Sequence, residues 1–207
     1  ELSFDRFHAE SDRVYRITTH LRLSDVEYNL AATPFPAAHV IGSEIKGIDK
    51  AVRIFPQQLV FESGDNKFEE RALFADHEFF KVFGFTLTQG DRSKVFLDPA
   101  SVVLTKAAAT RLFGSNPAIG KNVVMNGNTL RVTGIMEDVP DQSHLKFDAI
   151  MPLSFQLNQW EKETGLEGRE NKWFWIGAYT YVLLHPAAHS ENVQGDLAAI
   201  VEKYFPV

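Results

Sequence analysis

The chain has no cysteine in its 207 residues, which excludes disulfides, thiolate zinc sites and cysteine nucleophiles together. It also lacks any run of roughly 18 consecutive apolar residues, the length a membrane-spanning helix requires. The longest candidate, Trp173 to Leu184, is interrupted by Gly177 and Thr180 and reads as a strand. No basic and then apolar leader is present, since the chain opens Glu1-Leu2-Ser3-Phe4-Asp5. Basic residues are outnumbered, 21 Lys and Arg against 27 Asp and Glu for a net charge of −6. With no Lys/Arg cluster to neutralise a row of phosphates, nucleic acid is not a partner class.

Motifs for chemistry are equally scarce. The seven histidines include no HExxH segment, and no carboxylate lies at a spacing that completes a three-ligand site locally; the closest pair, His185 and His189, encloses Pro186, which disfavours the helical i,i+4 geometry of a metal pair. No G-x-S-x-G segment raises a serine nucleophile on a strained turn. Gly114 to Lys121 (GSNPAIGK) is superficially a phosphate loop, but five residues separate its glycines, Asn122 stands where Ser or Thr would hold magnesium, and a strand pattern follows. Ser143-His144 with Asp138 and Asp141 has the residue types of an acid–base cluster. In a connection, however, Ser and Asp side chains serve first to satisfy loop backbone groups. The sequence therefore predicts no catalytic residue, no metal site and no cofactor.

What is present is a foldable pattern: 44% hydrophobic and 23% charged residues, ordinary for a globular chain long enough to bury a core. Ser101 to Leu104 is β-rich. Thr105 is a suitable N-cap for a helix over Lys106 to Phe113, and Gly114 stands where a helix end wants positive φ. Asn122 to Met125 and Thr129 to Met136 alternate around Asn126-Gly127, the dipeptide of a type I′ hairpin, so Val123 and Met125 should share a face with Leu130 and Val132. Arg13 to Leu23 predicts one strand, Phe35 or Pro36 to Ile45 a helix, and Ala51 to Glu62 a strand with an edge or bulge at Pro56. The same β-α-β order returns in Phe147 to Met151, Leu153 to Glu163 and Phe174 to His185. A last helix, capped by Ser190, carries Val193, Leu197, Ile200, Val201 and Tyr204 as an apolar stripe. Between these units, residues 68–141 hold short strands, an aromatic helix at 76–83 and the hairpin. Trp173 and Trp175, two apart at the start of the last strand, should share one side of it, making them the candidate partner contact.

The combination of Glu1 to His8 (ELSFDRFH), Asp12 to Arg16 (DRVYR), Asp76 to Phe85 (DHEFFKVFGF), Leu112-Phe113-Gly114, Ile119-Gly120-Lys121, Val132 to Ile135 (VTGI), Asp138-Val139-Pro140 and Ser143-His144 resembles the MacB-like periplasmic core domain of ABC transporter permeases with FtsX-like membrane segments. The resemblance implies an α+β fold: a porter-like subdomain of two β-α-β units, residues 1–67 and 142–207, with a smaller mixed α/β, Sabre-like subdomain, residues 68–141, inserted between them. It implies a non-catalytic ectodomain, periplasmic or otherwise extracytoplasmic, flanked by membrane helices of the same permease and coupled to a cytoplasmic ABC ATPase. A periplasmic adaptor, peptide or lipoprotein partner and a dimeric transporter belong to the same expectation. The alternative is an extracytoplasmic module that binds or senses a peptide, lipid or lipoprotein.

Overall fold

The computed structural model describes residues 5–8, 10–165, 168 and 171–204. Twelve strands and five α-helices follow in the order β1 (Val14–Ile17), β2 (Thr19–Leu23), β3 (Val26–Leu30), β4 (Thr33–Pro34), α1 (Ala37–Glu44), β5 (Ile48–Ser63), β6 (Asn66–Ala75), α2 (Phe79–Val82), β7 (Leu87–Gln89), β8 (Ser101–Thr105), α3 (Lys106–Phe113), β9 (Asn122–Met125), β10 (Asn128–Met136), β11 (Ala149–Pro152), α4 (Leu153–Thr164), β12 (Ile176–Leu184) and α5 (Ser190–Tyr204). One mixed sheet runs β1-β12-β5-β6-β11-β8-β10-β7, with β4 on β12 and β9 joined to both β10 and β5.

The sheet is buried on both faces, and alternation along its strands shows how. Val102 and Leu104 enter one core while Val103 enters the other; Phe74 and Leu73 divide in the same way, as the period of two requires. Helices α3 and α4 close the first face through Ala108, Leu112 and Phe155. Helix α2 closes the second with Phe79, Phe80 and Val82, joined by Phe83, Phe85 and Phe147. A third cluster packs α1 and α5 onto Val182 and Leu184 of β12. The first two cores draw residues from both 68–141 and the flanking segments, Val52 and Tyr181 beside Phe79 and Met136 in one of them.

Local chemistry explains most element ends. Thr105 accepts a hydrogen bond from the Ala108 N–H (3.2 Å) at the start of α3, and Gly114 closes that helix at φ 61°. The β9–β10 hairpin turns on Asn126 and Gly127, at φ 47° and 79°. Its register sets Val123 against Leu130, and Val123, Met125, Leu130 and Val132 are all buried, as the turn type dictates. Along β5, pairing with β12 reaches Ile54 and pairing with β9 begins at Phe61. Pro56, which has no N–H to donate, falls in the one-sided stretch between, opposite Leu73 of β6.

Three expectations are corrected. The strand read over 13–23 is two strands, and β2 turns at Ser24-Asp25 (Ser24 φ 53°) into β3, forming a separate hairpin in register from Thr19↔Leu30 to Leu23↔Val26. No glycine marks that turn, so the sequence hid it. The helix read over 76–83 is the four residues of α2, since Phe83 is already extended at φ −106°, ψ 134°. In α5 the stripe is Val193, Leu197, Ile200 and Tyr204; Val201 is 56% exposed, because one residue past Ile200 turns about 100° around the helix.

Candidate functional site

Two places stand out from the braced interior. The first is the turn that precedes β12. Trp175 stacks on Phe35 (ring centroids 4.1 Å, 13° between planes) and meets Trp160 edge-on at 4.6 Å, so it belongs to the first core. Trp173 stacks instead on Tyr204 of α5 at 4.6 Å and belongs to the third. The two indoles therefore do not share one patch. The pleat begins only at Ile176, so the alternation of a strand does not govern residues 173 and 175. Their divergence leaves Phe174 between them, 93% exposed. Sequence reasoning missed Phe174, and the only available signal was its position between two anchored indoles.

The second place is where the N-terminal segment meets the body. The Asp5 N–H donates to the Gln142 carbonyl at 2.9 Å, and its carboxylate accepts from the His144 N–H at 3.1 Å. His144 Nδ1 lies 2.5 Å from Asp5 Oδ2, and Nε2 lies 2.6 Å from the Tyr181 hydroxyl. A carboxylate only accepts, so Nδ1 donates to Asp5, and in the neutral ring that leaves Nε2 to accept from the Tyr181 O–H. Burial pushes the Tyr181 hydroxyl up to about 12, which keeps its proton in place for that role. The chain Asp5–His144–Tyr181 thus joins the N-terminus, the connection after β10 and strand β12.

His8 is set beside it and is 3% exposed. The Gly84 N–H donates to its Nδ1 at 3.0 Å, which fixes the proton on Nε2. That Nε2–H is buried and has no acceptor among the described residues. Burial is the main cause that lowers the His8 imidazole to about 4; nearby Asp5 opposes the shift and His144 adds to it. The ring packs on Phe7 at 3.9 Å and edge-on against Phe85 at 4.9 Å and Phe83 at 5.4 Å. A cavity of about 320 Å³ opens beside His8, Arg16, His144 and Tyr181.

The remaining sequence candidates resolve into structure. Ser143 is buried and its Oγ accepts the Leu145 N–H at 3.2 Å. Asp138 accepts the Ala107 N–H at 2.8 Å in the first turn of α3. Both satisfy backbone donors, whereas His144 turns away to Asp5 and Tyr181, partners too distant in sequence to be anticipated. In the 114–121 loop, Gly114 ends a helix and β9 follows Lys121, so no helix N-terminus faces the loop; the Lys121 ammonium lies 5.6 Å from the centre of the Phe113 ring. Among the described residues no group of three His, Asp or Glu is placed to hold a metal ion.

The fold as a whole coincides with a known one. Residues 1–200 match the MacB-like periplasmic core domain. The chain belongs to that family, which provides the periplasmic domains of MacB-like ABC transporter permeases. Among solved structures, a domain of a putative permease protein from Porphyromonas gingivalis superposes with a TM-score of 0.80 at 22% identity, over 95% of this chain and 83% of that one. The periplasmic region of MacB from Actinobacillus actinomycetemcomitans gives 0.66 at 16% identity, over 92% and 83%. The extracellular domain of the noncanonic ABC-type transporter YknZ from Gram-positive bacteria gives 0.62 at 14%, over 84% of each chain. These likenesses carry the mixed α/β fold. No curated protein gives a significant match. Among the described residues, no helix is long and apolar enough to cross a membrane.

Proposed function

We propose that this MacB-like domain is a non-catalytic mechanical part, which converts motion driven by a cytoplasmic ABC ATPase into rearrangement outside the membrane. The observation that carries this reading is the attachment of both outer elements to strand β12. From the N-terminal side, β1 pairs with β12 from Val14↔Leu183 to Ile17↔Thr180, and the Arg13 guanidinium donates to the Leu184 carbonyl at 2.5 Å. From the C-terminal side, Val193 and Ile200 of α5 pack with Val182 and Leu184, and Lys203 pairs with Glu44 of α1 at 2.8 Å. A displacement entering at either element reaches one strand of a sheet whose two faces are packed, and packed bodies shift as units rather than deforming.

Residues 1–67 with 142–207 would then be the part that receives motion, and 68–141 the part that presents it, a division of role within shared cores. Flanking membrane helices, a dimeric transporter and a periplasmic adaptor complete the proposal, with Trp173 and Trp175 anchoring Phe174 toward that adaptor. Grafting a flexible Gly/Ser linker ahead of β1 or after α5 in the full permease should abolish transport and leave ATP binding intact. Full transport by either graft would refute the coupling role.

A second reading, capture of a peptide, lipid or lipoprotein, is favoured by a cleft of about 840 Å³ whose lining includes Phe80, Phe96, Leu97 and Leu153 beside Lys81 and Arg92. Leu97 is 74% exposed at this cleft, and apolar walls with a few cations suit an amphiphilic anion. Screening the domain against such ligands separates the readings: saturable binding lost in Phe96→Ser supports capture, and its absence leaves the mechanical role alone.

A further inference from the structure

We propose that residues 5–8 form a strap, seated on the body by Asp5, His8 and His144, which opens as a unit while the sheet stays folded, and that these three residues position the N-terminal segment for coupling. The proposal rests on the mechanical reading above for its role, and on geometry for its existence.

The seat has three attachments on three separate segments. Asp5 is held by the Gln142 carbonyl and by the backbone and ring of His144. His144 is held in turn by Tyr181 of β12. His8 accepts from Gly84, just after α2, and buries its ring among Phe7, Phe83 and Phe85. Apart from the backbone bond from the Asp5 N–H to the Gln142 carbonyl, each attachment is a side chain reaching across the fold. The backbone pairing of the sheet begins only at Val14, so losing the strap breaks no ladder hydrogen bond.

What makes the strap able to open is the nitrogen that the seat leaves unanswered. With Gly84 donating to Nδ1, the His8 proton stands on Nε2, and that donor is buried with no acceptor among the described residues. The tautomer also argues against a metal ligand at Nε2, since its lone pair is taken up by the proton. Seating gains ring packing and the Gly84 bond, but it forfeits the water that Nε2–H would bind when released. The Asp5–His144–Tyr181 chain supplies the balance. Removing a link in that chain should therefore release His8 as well, although no link touches the His8 ring nitrogens directly. The charged and titratable groups facing His8 are Asp5 and His144, with Arg16 and Tyr181 across the cavity.

The absence of native cysteine allows a clean test in this chain. Spin labels on exposed Arg6→Cys and Gln58→Cys report the strap against the sheet, and amide exchange at Gly84, His144, Val103 and Val132 reports the seat and the sheet separately. The native pair should give one narrow distance. In Asp5→Ala and in His144→Phe the distribution should broaden to longer distances, with exchange at Gly84 faster by tenfold or more and exchange at Val103 and Val132 unchanged. Tyr181→Phe, which keeps its ring against Phe83, should give a smaller change in the same direction. A narrow distance and protected Gly84 in Asp5→Ala would overturn the strap, as would loss of protection at Val103 together with Gly84, since the seat would then be part of the global fold. Failure of the coupling reading is told apart in the full permease: if Asp5→Ala opens the strap here yet transport per ATP is native, the strap is real and its role in coupling is not.

Discussion

The N-terminal seat and the centre of the sheet use the same materials to different ends. In the centre, Arg111 of α3 binds Glu70 of β6 with both arms and reaches Asp148 at 3.2 Å, and Arg71 closes the group on Asp148 at 2.8 Å. Glu70 is only 3% exposed, yet each of its carboxylate oxygens has a guanidinium partner. Arg71 and Arg111 likewise hold the Asp148 carboxyl below its usual range even though burial, the largest single influence, works to raise it. At the seat, His8 is as buried as Glu70, and its Nε2 has no acceptor among the described residues. A buried ionic group with all its partners locks segments together, whereas a buried donor without one weakens the attachment it belongs to. Ser101 Oγ of β8 is also buried without a partner among the described residues, so the contrast is between these two side-chain clusters and not between the seat and the whole sheet. The first arrangement suits the body of a lever and the second suits its attachment.

The sharpest break in this comparison is Arg111→Ala, which leaves a buried Glu70 carboxylate uncompensated and should cost about 3 kcal/mol. Urea unfolding should show a lower midpoint with an unchanged slope. A loss below about 1 kcal/mol would mean that the centre is no better braced than an exposed surface pair.

Acid separates the two regions next. His8 has a folded value of about 4 against 6.5 unfolded, so its neutral seating contributes fully above 6.5 and is lost as pH falls toward 4. Asp148 is depressed from 3.8, so its contribution stands above 3.8 and is lost only at lower pH. Local exchange at Gly84 should therefore rise before exchange at Ala149, and His8→Phe should abolish the earlier step. Coincident loss at both amides would remove the distinction between seat and centre.

A smaller effect is expected at the β9–β10 turn. Changing Asn126 and Gly127 to Ala forces Cβ-bearing residues with no local hydrogen-bonding side chain to keep φ of 47° and 79°, at about 1 kcal/mol or more. Thermal unfolding compares the two proteins directly. The smallest effect belongs to the exposed apolar residues: Phe174→Ser and Leu23→Ser, 93% and 56% exposed in the native chain, should change stability by no more than about 0.5 kcal/mol. A large loss at Phe174 would show that it supports the two cores rather than facing a partner.

Legibility in the sequence follows the range of the interactions. The run from Ser101 to Met136 could be read closely because its cap, its helix end and its two-residue turn are decided within a few residues. Helices α1, α4 and α5 were legible through local periodicity and boundaries, and Pro56 announced a one-sided strand. The β2–β3 hairpin was hidden because Ser24-Asp25 carries no glycine, although Ser24 takes φ 53°. The seat was hidden for a different reason. His144 meets Asp5 across 139 positions and Tyr181 across 37, and no local pattern encodes which distant carboxylate a histidine will face. Trp173 and Trp175 could be picked out as a pair of aromatics, but their directions depend on Tyr204 and Phe35, which the sheet order brings to them.

The central claim, that force entering at β1 or α5 is delivered to the body through β12, is tested most directly by distance. A spin label on exposed Gln58→Cys and a second in the membrane part of the full-length permease should report a change in separation when ATP binds. The coupling account predicts that this change disappears when a Gly/Ser linker is inserted ahead of β1 or after α5, with ATP turnover retained. The same ATP-driven change with both linkers in place would contradict it.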